Sequence, residues 1–402
     1  LLNRLVEAYE KEIIEFKDVY YAGDLIASKE SLRKDFLDNA IKMAMGRRLK
    51  RMEYSLEQKL RECEKAKRKE LFKEFKGKGG YFDDEEIDRR LGEYRGKSLE
   101  AMRSFVKNDY FKLYQRLFTE DALFNTLSKG LTLPKSILSI RQHTAKSLRP
   151  EILSYEDGMA MLYLKLKFED EHLCPQIKQV LIDEAQDYYP LQYKVLGEIF
   201  KGAQYTVLGD IGQTIEKNES EDLYDEVIKA LQPKKALKLK LDKSYRSSYE
   251  ISLFTQKLRE SKGALIAYER HEEAPVIAGH ENERQLMEWL EDKVKEYEAG
   301  GYETIAIICK SKRDVNHVYS KLAYKMAIHK LDEQQEEFTK GILIMPIYMA
   351  KGLEYDAVIV YEVNEEAYHE SEDKQLLYIA CTRALHRLSL CHTGELSHFL
   401  AE

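Results

Sequence analysis

The stretch Gln179-Val180-Leu181-Ile182-Asp183-Glu184-Ala185-Gln186-Asp187 decides the fold class of this chain. Its first four residues form a short apolar run that predicts a strand, and the run ends directly in a cluster of carboxylates. In an open α/β sheet ligands bind at the carboxyl ends of strands, where these side chains would emerge. One carboxylate can hold Mg²⁺ while its neighbour orients an attacking water, as phosphoryl transfer requires. The bland alternative is an acidic turn after a strand.

Outward from this stretch, short apolar runs alternate with segments of helix length. The runs at 180–182, 206–208, 237–241, 305–308, 342–344 and 358–360 predict strands, and the segments 191–200, 249–260, 283–298 and 313–326 predict helices. Such alternation implies parallel sheets covered by helices on both faces. We therefore predict an α/β fold beyond Pro150.

The first 148 residues show a different pattern of apolar and charged residues. Apolar residues recur at three- and four-residue intervals in long mixed-charge segments, which predicts a mainly helical arm. A small hairpin is expected at 19–26 and a loop at 77–86, where three glycines precede four acids. Residues 1–150 carry 33 Lys and Arg against 25 Asp and Glu. The basic stretch 42–78 could meet phosphates or an acidic protein surface, or could be a solvated helix face.

Composition excludes several classes of protein. The 402 residues include five scattered cysteines with no CxxC pair, so the sequence indicates neither a disulfide framework nor a zinc site, and we expect a cytoplasmic protein. No apolar run approaches the roughly 20 residues of a membrane span. The sequence does not start with Met, from which we expect a fragment or a processed form.

Three further segments carry groups suited to binding phosphate. VLGDIGQTI (207–215) follows a predicted strand, and its Gln213 could sense a terminal phosphate, although a Gly-Asp pair alone is only a turn. SYRSS (244–248) places Arg246 at a strand-to-helix junction, where a plain surface arginine is the alternative. LYIACTRA (377–384) predicts an apolar helix that contains Arg383, and a buried arginine needs an anionic partner. A triphosphate held between two domains would supply one.

A fourth string, AKGLEYDAVIV, occupies residues 350–360. Taken in chain order, VLIDEAQD (180–187), VLGDIGQTI, SYRSS, AKGLEYDAVIV and LYIACTRA resemble motifs II to VI of UvrD-like superfamily 1 helicases. The resemblance spans more than half of the chain and implies RecA-like sheets of the P-loop NTPase type. It also implies ATP and Mg²⁺ as cofactors and DNA as a partner. By the same resemblance, Asp183 is the Mg²⁺ ligand, Glu184 the catalytic base and Gln213 the γ-phosphate sensor. Arg246 and Arg383 would be arginine fingers, and Glu354 a nucleotide-ribose or coupling contact.

Some features depart from the usual UvrD pattern. No aromatic follows motif III at Thr214-Ile215-Glu216-Lys217, which puts base stacking there in doubt, and motif V lacks its usual Thr-x-His lead. Only about a hundred residues separate Arg246 from Lys351, too few for a large second-domain insertion. These features and the helical arm are similar to the HelD (helicase IV-like) group, which implies bacterial RNA polymerase as a partner.

The sequence contains no GxxxxGK[ST] phosphate loop. GEYRGKS (92–98) is one residue short and follows no buried strand, so we expect the phosphate cradle upstream of Leu1 and no measurable ATPase activity from this fragment alone. We expect residues 1–148 to form the arm, 149–242 to complete a first RecA-like domain and 243–402 to form the second. The predicted function is an ATP-dependent helicase or translocase that remodels complexes of RNA polymerase with nucleic acid. The alternatives are a non-enzymatic polymerase-binding module and a conventional DNA-unwinding helicase.

Overall fold

The computed structural model describes residues 1–38, 43–77, 84–106, 109–169, 173–210, 223–259, 266–331 and 340–401. These residues form two compact units. The first comprises Leu1–Val180 and Pro190–Gln204, and the second comprises Leu181–Tyr189 and Tyr205–Glu402.

The first unit is mainly helical. Its elements are α1 (Leu2–Ala8), a π-helical turn (Tyr9–Ile13), β1 (Val19–Tyr21), β2 (Asp24–Ala27), α2 (Lys29–Leu37), α3 (Met45–Gly77), α4 (Asp84–Val106), α5 (Tyr110–Thr119), α6 (Asp121–Ser128), α7 (Ile137–Ser147) and α8 (Tyr155–Glu169), with α9 (Pro190–Ile199) after β3 (Gln179–Ile182). The predicted hairpin is confirmed, because β1 and β2 pair antiparallel around Ala22 and Gly23, whose φ angles are 52° and 95°. Two positive φ angles suit a type I′ turn.

The core of the first unit follows helical spacing. Buried apolar residues recur at helical spacing along one face of α3 and of α4, which pack together: Leu49, Met52, Leu56 and Leu60, and Ile87, Leu91, Met102 and Phe105. The loop predicted at 77–86 is wrong in part. Asp84, Glu85 and Glu86 form the first turn of α4, where carboxylates stabilise the positive end of the helix dipole; residues 78–83 lie outside the described ranges.

Strand β3 pairs with β4 (Gln204–Val207). The amides of Gln204 and Leu208 donate to the carbonyls of Lys178 and Ile182, so the two strands run in the same direction. The turns that follow both strands, 183–187 and 208–210, therefore meet at their carboxyl ends.

The second unit is built on a six-stranded parallel sheet in the order β7-β12-β11-β8-β10-β9. Its further elements are α10 (Leu223–Leu231), β5 (Lys243–Ser244), α11 (Tyr249–Gln256), β6 (Ile266–Ala267), β7 (Val276–His280), α12 (Glu283–Ala299), β8 (Thr304–Cys309), α13 (Lys312–Leu322), β9 (Ile328–Lys330), β10 (Gly341–Pro346), α14 (Ile347–Ala350), β11 (Tyr355–Val360), α15 (Ser371–Cys381) and β12 (Ala384–Thr393). Strands β5 and β6 form a separate parallel pair.

Helices cover both faces of the six-stranded sheet. In β8, Ala306 and Ile308 belong to one apolar cluster, whereas Ile305, Ile307 and Cys309 belong to another. Successive residues of a strand point to opposite faces, so two buried clusters mean that neither face is open to water. The fold is α/β with a parallel sheet and a helical N-terminal region, as the sequence predicted.

One predicted strand is wrong. Residues 237–241 have no regular secondary structure, and Leu237, Leu239 and Leu241 are 82%, 79% and 86% exposed. Alternation of leucine and lysine favours a strand only when a neighbouring strand pairs with it and one face is buried. In the described ranges no strand pairs with this segment. Across those same ranges, no helix is both long and apolar enough to span a bilayer.

Candidate active site

The turn after β3 holds Glu184 in a strained backbone conformation. Glu184 has φ 50° and ψ 42°, in the left-handed region, and begins the 3₁₀ turn Ala185–Asp187. Its amide donates to Asp183 Oδ1 at 2.8 Å. Residues other than glycine in this conformation are uncommon and are found at turns and at functional sites. The turn thus presents two carboxylates side by side at the end of a strand.

Gln186 fixes the direction of the Glu184 carboxylate. It is 2% exposed, and its Nε2 donates to Glu184 Oε2 at 2.5 Å, while its Oε1 accepts from the Asp210 amide at 3.1 Å. Nearby, the Ala185 amide donates to the carbonyl of Leu208 at 2.9 Å. The carboxylate turn and the 208–210 segment are therefore one hydrogen-bonded assembly.

The turn that carries Arg246 is tied to the start of β12. Ser247 Oγ donates to the Ala384 carbonyl at 2.6 Å, and the Ser248 amide donates to the Leu385 carbonyl at 3.1 Å. From outside these segments, Arg270 Nη2 donates to the carbonyls of Arg246 (2.6 Å) and Leu385 (2.8 Å). These bonds place the two arginine-bearing segments, 246–248 and 383–385, side by side.

Arg383 is almost completely buried, with 1% of its surface exposed. The sequence predicted it inside a helix, but it lies just beyond the end of α15, because the helix stops at Cys381. Its Nε donates to the Ile379 carbonyl at 3.1 Å, and Nη2 donates to Thr382 Oγ1 at 3.2 Å. Arg383 therefore directly precedes β12 and lies within electrostatic range of Glu184.

The charges of the site act on one another. Burial lowers the pKa of Arg383, and the nearby Arg246 lowers it further, while Glu184 and Glu354 act in the opposite direction. Arg246 Nε lies 2.5 Å from Glu354 Oε1, and both side chains are about two-fifths exposed. Two guanidinium groups held near each other repel, so an anion between them would be stabilised.

A second ion pair was not predicted from the sequence. Lys351 Nζ lies 2.7 Å from both carboxylate oxygens of Asp187. The lysine side chain is 9% exposed and the aspartate 40%. Both residues lie inside the quoted motifs, but nothing in their spacing indicates that they pair. Gln186 and Arg270 were missed for the same reason.

An exposed aromatic pair adjoins Arg246. The ring centroids of Tyr245 and Tyr268 are 5.3 Å apart, and Lys243 Nζ lies 5.2 and 5.4 Å from the two rings. Tyr245 is 64% exposed. Exposed rings beside a cation can stack against a planar, electron-rich ring such as a nucleobase.

Five of the six predicted site residues lie in the second unit, namely Asp183, Glu184, Arg246, Glu354 and Arg383. Gln213, the predicted phosphate sensor, lies outside the described residues. Direct contact joins Arg246 to Glu354, and charge interactions join Arg383 to Arg246, Glu184 and Glu354. Asp183 contacts the site through the Glu184 amide.

Comparison with known proteins bears on both parts of the chain. Residues 30–217 match the family model of the UvrD/REP helicase N-terminal domain, and residues 341–391 match that of the UvrD-like helicase C-terminal domain. A solved structure, the C-terminal domain of a possible DNA helicase from Lactobacillus plantarum WCFS1, is 31% identical over 39% of this chain and 92% of that chain, with a TM-score of 0.35. No curated protein matches.

Two helicase domains matched in their usual order define the class of protein as a superfamily 1 helicase. Both matched domains are those of the UvrD-like helicase family. Members of this family typically use a nucleotide and Mg²⁺ and act on nucleic acid.

Proposed function

We propose that this chain supplies most of the catalytic centre of an ATP-dependent motor that moves on or around DNA. The observation that carries the proposal is the buried Arg383 guanidinium, which lies within electrostatic range of Arg246 and of the Glu184 carboxylate. Two arginine charges facing a carboxylate turn suit a triphosphate, whose transferred group carries negative charge through the transition state. In this proposal Glu184 is the general base and the two arginines stabilise the phosphates.

The turn also suits Mg²⁺. Mg²⁺ prefers oxygen ligands, keeps several of its waters and is usually bound through one or two carboxylates together with substrate phosphates. Asp183 is exposed at the end of β3, and one of its oxygens is oriented by the Glu184 amide. Asp183 would hold the ion, which would neutralise phosphate charge. Glu354, which pairs with Arg246, is proposed to contact the ribose of the nucleotide or to couple hydrolysis to movement. Gln213 is proposed to sense the terminal phosphate.

The phosphate cradle is proposed to come from residues outside this sequence. The sequence holds no GxxxxGK[ST] string, and the apolar side chains of Leu237, Leu239 and Leu241 are exposed. Strands that complete a first RecA-like domain around residues 149–242, with the second domain at 243–402, would cover them. The 402-residue chain alone is then expected to show no measurable ATPase activity, and turnover by the purified chain would contradict this.

The decisive test of the catalytic assignment is Glu184→Gln in the complete protein. The amide keeps the shape of the side chain but cannot accept a proton, so hydrolysis should fall by about a hundredfold or more while Mg²⁺-ATP binding stays nearly intact. Glu288→Gln is the matched control, because Glu288 is an exposed acid of α12 that pairs with Arg284. Equal loss of binding and turnover would instead assign Glu184 to the metal.

We further propose that the helical arm, residues 1–148, contacts bacterial RNA polymerase, as in HelD-like proteins that remodel its complexes with nucleic acid. Supporting this, acids and bases are interleaved along α3 and α4, which does not suit binding to a uniform phosphate backbone. Arg68 Nη2 lies 2.9 Å from Asp88, and Arg89 Nε lies 2.8 Å from Glu86. Hydrogen bonds from Arg89 and then Arg90 lower the pKa of Glu86 to about 2. In this proposal the acidic residues at the start of α4, Asp84, Glu85 and Glu86, enter a positively charged channel of the polymerase.

The partner can be tested with the full chain. Asp84→Ser with Glu85→Ser should weaken capture of bacterial RNA polymerase, whereas Glu7→Ser with Glu12→Ser, two exposed acids elsewhere in the first unit, should not. A duplex-binding titration runs beside it, since binding through basic contacts weakens with salt with a slope of about −0.9 per phosphate neutralised. Tight, steeply salt-dependent duplex binding without polymerase capture would favour a conventional DNA-unwinding helicase. Polymerase capture by a complete protein without ATPase activity would favour a non-enzymatic binding module.

A further inference from the structure

The ion pair between Asp187 and Lys351 joins two segments 164 residues apart in the sequence. Both carboxylate oxygens lie 2.7 Å from Lys351 Nζ, and the lysine side chain is only 9% exposed. Removing one partner of an ion pair destabilises a protein more when the remaining charge is shielded from water than when the pair is exposed. The pair is therefore a defined connection rather than a passing surface contact.

At one end of this connection lies the carboxylate turn. Asp187 is the last residue of the 3₁₀ turn, and its amide donates to the Glu184 carbonyl at 3.0 Å. A displacement of Asp187 would be passed to Glu184 through a single hydrogen-bonded turn. Gln186, between them, holds the Glu184 carboxylate directly.

At the other end lies the loop that reaches both arginines. Lys351 is followed by Gly352, whose φ of 78° turns the chain, and then by Leu353 and Glu354. The Leu353 carbonyl accepts from Arg383 Nη1 at 3.4 Å, and Glu354 pairs with Arg246. Movement of Lys351 would therefore shift a contact of each arginine.

We propose that Asp187 and Lys351 are positioning residues that hold the Glu184 turn in register with Arg246 and Arg383. The reaction they serve rests on the proposed function, whereas the coupling rests on the ion pair alone. A general base and stabilising charges must act on the same group at the same time, and a misplacement of about 1 Å can cost about a hundredfold in rate. The ion pair sets the distance between the Glu184 turn and the two arginines without touching the reacting atoms.

The coupling is tested first in the 402-residue chain, by hydrogen exchange. Asp187→Asn should speed exchange of the amides at 351–356, and Lys351→Gln should speed exchange of those at 184–188. In each variant the effect appears in the segment that carries the other partner of the ion pair. The double charge swap, Asp187→Lys with Lys351→Asp, should restore slow exchange at both segments. Lys340→Gln is the control, since Lys340 pairs with Glu303 in the same unit but both side chains are mostly exposed.

The catalytic consequence is tested in the complete protein. Each single variant should lower kcat by about tenfold or more, with KM for ATP changed by less than about twofold, and the charge swap should recover most of kcat. The proposal would be overturned if each single variant speeds hydrogen exchange only in the segment that carries the mutation. It would also be overturned if the kcat of the charge-swap variant is as low as that of the single variants. If the unaltered complete protein hydrolyses no ATP, the proposed function fails, while the reciprocal exchange result still decides the coupling.

Discussion

Gly209 approaches Gln186 so closely that a Cβ atom on Gly209 would lie 2.5 Å from Gln186 Oε1 and 3.1 Å from the Ala185 amide nitrogen. Gln186 cannot move aside cheaply, because it is buried and bonded to both Glu184 and the Asp210 amide. Gly209→Ala should therefore destabilise the second unit by about 1–3 kcal/mol. Urea unfolding measures the loss, and faster exchange of the Asp210 amide should accompany it.

Gly92 in α4 provides the matched control. Nothing lies within 4 Å of a Cβ built on it, and an exposed glycine inside a helix costs conformational entropy. Gly92→Ala should therefore stabilise the protein by about 0.5–1 kcal/mol. Opposite signs for the two substitutions are expected, and equal effects would contradict the close packing at Gly209.

Arg270 is expected to stabilise the arginine-bearing turn from outside every motif. Arg270→Ala removes the donors to the carbonyls of Arg246 and Leu385, and should cost about 1–3 kcal/mol in the free energy of unfolding. Arg284→Ala, which removes an 88% exposed side chain paired with Glu288, should change stability by less than about 0.5 kcal/mol. Chemical unfolding of the two variants compares them, and equal stabilities would remove Arg270 from this role.

Trp289 should report the protonation of His280. Trp289 is the single tryptophan, and its ring centroid lies 5.3 Å from that of His280. Burial lowers the pKa of His280 below its usual 6.5, the positive charge of His392 lowers it further, and Glu362 opposes them. Because a protonated imidazole quenches a neighbouring indole, Trp289 emission should fall with a midpoint below pH 6.5.

The lowered pKa of His280 also determines the direction in which a change of pH alters the stability of the protein. A histidine whose folded pKa is lowered favours folding in its neutral form, so stability falls as the pH drops below 6.5 toward the folded pKa. His280→Gln should abolish the fluorescence transition, whereas His369→Gln, at an exposed position, should keep it. A transition that survives in His280→Gln would assign the quenching to another group.

The cysteines should differ sharply in reactivity. Cys309, Cys381 and Cys391 are buried, and burial raises the pKa of each thiol, that of Cys391 to about 12. Because the thiolate is the reactive form, these three should resist iodoacetamide at pH 8 in the folded protein. Cys63 and Cys174 are partly exposed and should react first. Mass spectrometry of timed digests tests this order, and early labelling of Cys391 would contradict it.

Local patterns in the sequence predicted most of the fold because strands and helices leave periodic traces. The strands at 305–308, 342–344 and 358–360 and the helix at 283–298 correspond to β8, β10, β11 and α12. The segment 237–241 shows the limit of the method, since its alternation says nothing about whether a neighbouring strand is present. Arg383 was displaced from its predicted helix because helix ends depend on capping and on packing.

The site was predictable only in part, for a related reason. Asp183 and Glu184 follow a strand, and a strand end indicates where side chains emerge. The contacts of Gln186 with Asp210 and of Arg270 with Arg246 and Leu385 join residues distant in sequence. No spacing within a segment encodes such contacts, and they become visible only when the chain is folded.

The length of α3 has a mechanical consequence. Its 33 residues extend over roughly 50 Å at the α-helical rise of about 1.5 Å per residue. Over such a length, a rotation of about 5° at one end displaces the other by roughly 4 Å, which is less than the helical pitch of about 5.4 Å. Salt bridges between α3 and α4, such as Arg95 with Glu64 at 3.1 Å, stiffen the rod against bending. The paired helices therefore transmit a small rotation at one end as a displacement of several ångströms at the other.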